Sequence, residues 1–422
     1  MRGQERIFTR NFIYIFFATF AFFAGFVFFF PVLPIFIDEL GGTPALIGAL
    51  IGGSSMVSIC LRPFSGRLID EQGRRRYLTI GALLLTTSSF SYELVTDTVF
   101  LWPVRLAAGA GVSLFFTASL AFVGDITPNS KRGQAMGYWG TANNLALALG
   151  PLLATALLKA SFLHSFEHDL RNWYPGNGSS VAGDDLNFAT CFLVAGIIGL
   201  VCVFLSRQLT ENYIPVKQPK QTAVEMIKGT INRKAMLPGT LNLLMVLNFV
   251  SLNIFVPVYA EEIGVANVGL SFYTVFAVFI VVSRLFSGHL LDHFPRAYSI
   301  VPAFVVMSGA TILIGLVQEP WVLPIGAALV GLGAGFVQPG LQALLLDKVE
   351  GERLGSASAT FALGLDIGRF GGGFVMGLIL ELSGFRVMYL AAGMAGLTAA
   401  MILSVATIRD AKDLAGSPDV TP

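Results

Sequence analysis

The stretch RPFSGRLIDEQGRRR, Arg62 to Arg76, decides the fold because a shortened copy, RLFSGHLLD, runs from Arg284 to Asp292. Arg, Phe, Ser, Gly, Leu and Asp keep their offsets, so Arg62 and Arg284, Gly66 and Gly288, and Asp70 and Asp292 each lie 222 positions apart. A constant shift of that size is the mark of a duplicated unit. The repeat continues outward. PIFIDELG (Pro34–Gly41) is echoed by PVYAEEIG (Pro257–Gly264), Asp125 by Asp347 and Gly150 by Gly372, and Gly109–Gly111 has a glycine-rich counterpart at Gly331–Gly335.

Composition fixes the solvent in which both copies fold. Hydrophobic residues make up 54% of the 422 and charged residues only 13%, against about a quarter charged in an ordinary soluble domain. The apolar stretches run past the roughly 18 residues that separate a membrane span from a core helix. Twelve spans are expected, near 11–37, 45–69, 77–95, 99–125, 134–158, 186–206, 237–260, 267–291, 298–317, 321–346, 355–382 and 385–406. This predicts an all-α membrane protein of two six-helix bundles, 1–206 and 237–407, joined by a polar linker (207–236) and ending in a tail (408–422).

Basic residues such as Arg67, Arg74, Arg75, Arg76, Lys131, Arg132, Arg207 and Arg233 then share one side, while Asp38, Glu39, Glu93, Glu261 and Glu262 share the other. Lys and Arg collect in short inner loops, so both termini are expected in the cytoplasm. The run after Arg10 reads as a first helix, being too long for a signal-peptide core. The polar segment Ser161–Asn187, glycine-rich at its middle, reads as a mobile outer loop. Cys60, Cys191 and Cys202 fall in apolar spans and read as small buried hydrophobes. Asn177-Gly-Ser is a glycosylation sequon by pattern alone.

Two halves of six spans, with a G-x-x-x-D-x-x-G-R-R loop after span two and a degraded echo after span eight, resemble the major facilitator superfamily, most of all its bacterial proton-coupled efflux branch. Arg105-x-x-x-Gly109-x-Gly111 resembles the arginine motif of proton-coupled members, and Pro128-x-x-x-Arg132-Gly133-x-x-x-Gly137 the inner loop between spans four and five. Ala146-x-x-x-Gly150-Pro151-x-x-Ala154-Thr155 is similar to the exporter motif, with three of its four glycines replaced. In the family the aspartate matching Asp70 contacts helix eleven, and the arginine matching Arg74 links it to an acid ending helix four, where Asp125 stands. Glu71 occupies a place usually held by a basic residue. The resemblance implies an inner gate built from Gly66, Asp70, Arg74, Asp125, Gly288 and Asp292.

From the residues alone, Gly66 permits a close helix approach, and Asp70 can pair with Arg74 four positions on or cap a helix. Charges deep in a span cost at least about 2.5 kcal/mol each, which singles out Arg105, Asp366 and Arg369. At 1.5 Å per residue Arg105 lies roughly 10 Å down and Asp366 roughly 16 Å up, so a pairing between halves is open to them. Asp366 and Arg369, spaced i,i+3, form either a static ion pair or a proton carrier with its arginine. The buried amides Asn143, Asn144, Asn248, Asn253, Gln338 and Gln342 serve either as interhelical ties or as substrate contacts. Phe12, Phe16, Phe20, Phe23, Phe26 and Phe30 of span one are candidates for an aromatic cavity wall. Gly109, Gly111, Gly150 and Pro151 read as helix-packing positions.

Several patterns carry no chemistry. H-x-x-E-H at His164–His168 and the spacing of His289 and His293 lack a third ligand and an enclosing fold, so no metal site is expected. The glycine runs lack a strand–turn–helix setting, and no Walker motif offers ATP as a drive. The expectation is a proton-driven exporter of a small amphipathic or hydrophobic compound, with no other cofactor, no nucleic-acid partner and no enzymatic activity. It would act as a monomer in a bacterial-type inner membrane. A proton symporter for a polar metabolite and a transport-dead sensor of the same fold are the alternatives.

Overall fold

The computed structural model describes residues 7–128, 131–158, 160, 187–211, 231–349 and 354–415. They are helical throughout apart from short connections, and no strand occurs among them. Among the described residues nine helices are long and apolar enough to cross a membrane. The chain divides into two compact units, Met1–Lys228 and Gly229–Pro422, with the division inside the expected linker. The expected outer loop, its sequon, His164–His168 and most of the linker lie outside the described residues.

The N-terminal unit holds α1 (Arg10–Val27), α2 (Phe29–Glu39), α3 (Pro44–Gln72), α4 (Arg74–Ser91), α5 (Thr98–Ile126), α6 (Arg132–Leu158) and α7 (Phe188–Gln208). Its helices start where their caps dictate. The Thr9 hydroxyl accepts from Phe12 N, and Asp97 accepts from Val99 N at 2.9 Å. Thr43 accepts from Leu46 N ahead of Pro44, a residue suited to the first helical position. The first expected span is interrupted at Phe28, because Pro31 has no N–H for the carbonyl of Val27. Within the unit α5 packs on α3 and α4, α7 on α1 and α4, and α6 on α1.

The C-terminal unit holds α8 (Met236–Glu262), α9 (Ala266–His293), α10 (Arg296–Leu316), α11 (Val322–Lys348) and α12 (Leu354–Ala415). Expected spans eleven and twelve run on through α12 and are separated by Gly384, whose φ of 78° breaks the helix. Here α12 packs on α8 and α10, and α11 on α9 and α10.

Each unit repeats the other's close contacts. A Cβ at Gly109 would collide with Ser54 O, and one at Gly331 would lie 2.8 Å from Phe276 O, both partners again 222 positions apart. A Cβ at Gly111 would lie 2.8 Å from Gly81 O, and one at Gly333 2.8 Å from Ala303 O, at the same shift. These approaches exist because no side chain stands between the backbones. The echoed phrases ending at Gly41 and Gly264 close with the same left-handed turn, φ 76° and 72°.

Candidate functional site

The charged phrase is more helical than its composition predicts. α3 runs to Gln72 and α4 begins at Arg74, whereas spans ending at 69 and starting at 77 were expected. One residue, Gly73 at φ 95°, makes the whole turn. Charged residues stay helical there because the carboxylate of Glu211 accepts from the backbone N–H groups of Arg74 and Arg75, capping α4 from beyond the end of α7.

Arg74 is buried and sits between acids. Its Nη1 lies 2.6 Å from Oδ1 of Asp70, its Nε donates to Oδ2 of Asp125 at 2.9 Å, and Nη1 also donates to Ile69 O at 2.9 Å. Three elements, α3, α4 and α5, thus meet on one guanidinium. The C-terminal unit reproduces the second bond, Arg296 Nε to Asp347 Oδ2 at 2.9 Å. Glu71 pairs with Arg67 at 2.8 Å on the same helix. Gly288 and Asp292 lie in α9 but outside the residues whose side chains are described. Gly66 departs from the packing reading, because a Cβ there would meet nothing within 4 Å. Gly150 does separate two helices: its Cβ would lie 2.6 Å from Val27 Cγ2 and 2.9 Å from Ala24 O, with Pro151 following inside α6.

Arg105 is 3% exposed and binds only neutral oxygens among the described residues. It donates to Leu50 O (3.1 Å), Ile51 O (2.6 Å), Ser54 Oγ (3.2 Å) and Tyr92 OH (3.3 Å). The guanidinium therefore ties α5 to α3 and to the end of α4, inside its own unit. Asp366 is 2% exposed, roughly 18 Å along α12 from Leu354 at 1.5 Å per residue. Arg369, half-buried, follows one turn later.

The amides divide. Asn248 is fully buried and committed to α10, accepting from Thr311 Oγ1 at 2.8 Å and donating to Ser308 Oγ at 3.5 Å, so it is an interhelical tie and not a wall of an open cavity. Asn253 turns its amide back on Phe249 O at 3.0 Å. Asn143, Asn144 and Gln338 are half-buried, and Gln342 is exposed.

The span-one phenylalanines pack mainly within the N-terminal unit. Phe12 meets Tyr138 at 6.3 Å between centroids, and Phe23 meets Phe116 edge-on at 6.2 Å. Sequence reasoning missed what lies beside them. The guanidinium of Arg62 sits 5.5 Å over the ring of Phe116, which is 5.3 Å from Trp139. The indole Nε1 of Trp139 is buried with no hydrogen-bond partner among the described residues. Arg62 stands ten residues before the end of α3, roughly 15 Å deep, and Arg284 is similarly deep in α9, with a buried Nε that has no hydrogen-bond partner. Both lie inside the expected spans 45–69 and 267–291, seven residues from the inner end of each. The helices run on to Gln72 and His293, which sets both arginines deeper.

A sequence model described as Major Facilitator Superfamily matches residues 15–318 and 239–421. The quinolone resistance protein NorA of Staphylococcus aureus (strain COL) is 22% identical over 394 residues, covering 90% of this chain and 92% of that protein. Two solved structures share the fold. A POT family transporter in complex with a thioalcohol-conjugated peptide has a TM-score of 0.73 at 14% identity, over 95% of this chain and 96% of that one. A D-xylose–proton symporter has a TM-score of 0.70 at 15% identity, over 93% and 96%.

Proposed function

The chain belongs to the Major Facilitator Superfamily and is a membrane transporter, not an enzyme, and on that premise we propose that it is a proton-driven exporter of small amphipathic or hydrophobic compounds. The observation that carries the reading is Asp366, a carboxylate 2% exposed in the middle of an apolar helix, one turn from Arg369. An ionisable group in that position costs several kcal/mol by the larger estimates and is retained for ion or substrate work. In this reading Asp366 takes up and releases the coupling proton, Arg369 responds to its charge, and transport proceeds by alternating access. Twelve spans, both termini in the cytoplasm, and a monomer in a bacterial-type inner membrane complete the proposal.

Substrate contact falls to the cluster of Phe23, Phe116, Trp139 and Arg62, which offers ring faces, one indole N–H and one cation. That chemistry suits a flat, partly apolar molecule with an acceptor. The likeness to NorA, a quinolone resistance protein, supports the export direction. Uptake by symport is the second reading, supported by the incomplete glycine motif of α6 and by the fold shared with a sugar–proton symporter. Everted vesicles from cells making the protein decide between them. A proton gradient should drive fluorescent aromatic amphiphiles into the everted lumen, and gradient-driven exit of a sugar or amino acid instead would reverse the assignment.

A further inference from the structure

The N-terminal unit carries a basic cavity beside the Glu211 cap of α4. The start of α1 is tied to the segment after α7 by Asn11, whose Nδ2 donates to Thr210 O at 2.9 Å and whose Oδ1 accepts from Thr210 N at 3.2 Å. Beside that tie lies a cavity of about 410 Å³ whose walls include Arg10, Arg75 and Arg207. A second cavity of about 410 Å³ shares Arg75 and Arg207 and adds Arg76. All four arginines are exposed, and none pairs with a carboxylate among the described residues. The one acid present, Glu211, has its oxygens on the backbone N–H groups of Arg74 and Arg75. Arg75 is held in place by donating from Nη2 to Arg207 O at 2.6 Å, and Arg10 lies 5.2 Å over the ring of Tyr14.

An exposed apolar face of α7 leads to one wall of the cavity, Arg207. Ile197, Leu200, Val201 and Phe204 are all exposed on α7, Phe204 by 61%, and their spacing sets them in one stripe that ends at Arg207. A basic pocket at the end of an exposed apolar helix face is matched by a molecule with an anionic head and hydrocarbon tails. Basic pockets between membrane helices have that use for lipid head groups. We infer that the cavity formed by Arg10, Arg75 and Arg207 holds the phosphate head of an anionic phospholipid whose acyl chains lie along the exposed face of α7. The lipid would bridge the beginnings of α1 and α4 to the end of α7, where the charged phrase ends.

The test is native mass spectrometry of the full-length, delipidated protein titrated with phosphatidylglycerol or phosphatidylcholine, with inorganic phosphate as competitor. One phosphatidylglycerol should bind at least tenfold more tightly than phosphatidylcholine and should survive millimolar phosphate. Arg75→Gln with Arg207→Gln should weaken phosphatidylglycerol by about twentyfold, roughly fivefold per arginine, while the double lysine variant keeps most of the preference. Should the double glutamine variant lose its monodisperse elution, Arg10→Gln leaves the Arg75–Arg207 bond intact and should cost about fivefold. Equal binding of both lipids, or an undiminished preference in the folded glutamine variants, overturns the site. Displacement of the lipid by phosphate alone overturns the lipid assignment in favour of a free-anion site.

Discussion

Arg296 places its Nε 2.9 Å from Oδ2 of Asp347, the same atoms at the same distance and the same separation of 51 residues as Arg74 and Asp125. Duplication has therefore preserved a side-chain bond between the starts and ends of corresponding helices, and not just a hydrophobic pattern. The two copies are buried differently. The Arg74 side chain is 7% exposed and that of Arg296 28%, and Arg74 also meets a second acid, Asp70.

Solvent screening weakens exposed ion pairs, so the copies should differ in a double-mutant cycle. Arg74→Ala with Asp125→Ala should give a coupling of about 1 kcal/mol. The Arg296 and Asp347 cycle should give about half of that or less. Thermal unfolding in detergent measures both. Equal couplings would mean that burial of Arg74 adds nothing to the bond.

Glycine positions make opposite predictions. Gly109→Ala drives a methyl into Ser54 O and must separate α3 from α5, at a cost of about 1–3 kcal/mol. Gly66→Leu meets open space, so yield and melting temperature should stay near wild type. If the phrase acts as an inner gate, that well-folded variant should nonetheless lose transport. Wild-type flux in it would leave the phrase as a topology signal.

Much of this was legible in the residues. The shift of 222 anticipated which glycines and which acids would recur, and the i,i+4 spacing of Asp70 and Arg74 anticipated their pairing. Glu211 was not legible. It caps α4 across 137 positions from a segment that read only as polar linker, and no local pattern announces a tertiary cap. Arg62 and Arg284 were overlooked for a different reason. Both fall inside the expected spans but near their inner ends, where a charge reads as part of the charged phrase. In fact α3 and α9 continue roughly 15 and 14 Å beyond them at 1.5 Å per residue. Asn248 shows the limit for buried amides, since only the positions of Ser308 and Thr311 reveal that its hydrogen bonds are taken.

Arg105 poses a choice between tie and relay. Its fork reaches four acceptors on two neighbouring elements, which a lysine cannot match in direction or number. Arg105→Lys keeps the charge, yet it should destabilise the protein by about 3 kcal/mol through acceptors left unpaired. Tyr92→Phe removes only the longest of the bonds and should cost about 1 kcal/mol. A lysine variant with wild-type melting behaviour and impaired proton coupling would point to a relay.

Trp139→Phe separates binding from stability. Removing an indole N–H that has no partner relieves a penalty of about 1 kcal/mol. The smaller ring leaves a void that costs a similar amount. The melting temperature should consequently change little. If substrate accepts that proton, affinity for aromatic amphiphiles should fall by about fivefold, following the roughly 1 kcal/mol of one hydrogen bond. Tryptophan-quench titration loses its probe here, so binding is best read by ligand-induced thermal shift. Unchanged affinity would place the substrate elsewhere.

The coupling proton gives the most direct test of Asp366. A coupling ion must change the free energies of two conformations unequally, because a ligand with equal affinity for both shifts nothing. Asp366 is a buried carboxylate deep in α12, and neutralising it alters the charge balance around Arg369 one turn away. That change is what a proton would supply. Asp366→Asn keeps the shape and fixes the neutral form. In proteoliposomes it should lose transport driven by an imposed pH gradient by at least tenfold, while counterflow exchange without a gradient continues. Substrate binding should persist and lose whatever pH dependence this site confers. An alternative in which Asp366 and Arg369 form only a static pair predicts the reverse: lower stability, with gradient-driven accumulation intact in whatever protein folds. Unchanged accumulation by Asp366→Asn would sink the carrier role and leave the static pair as the better account.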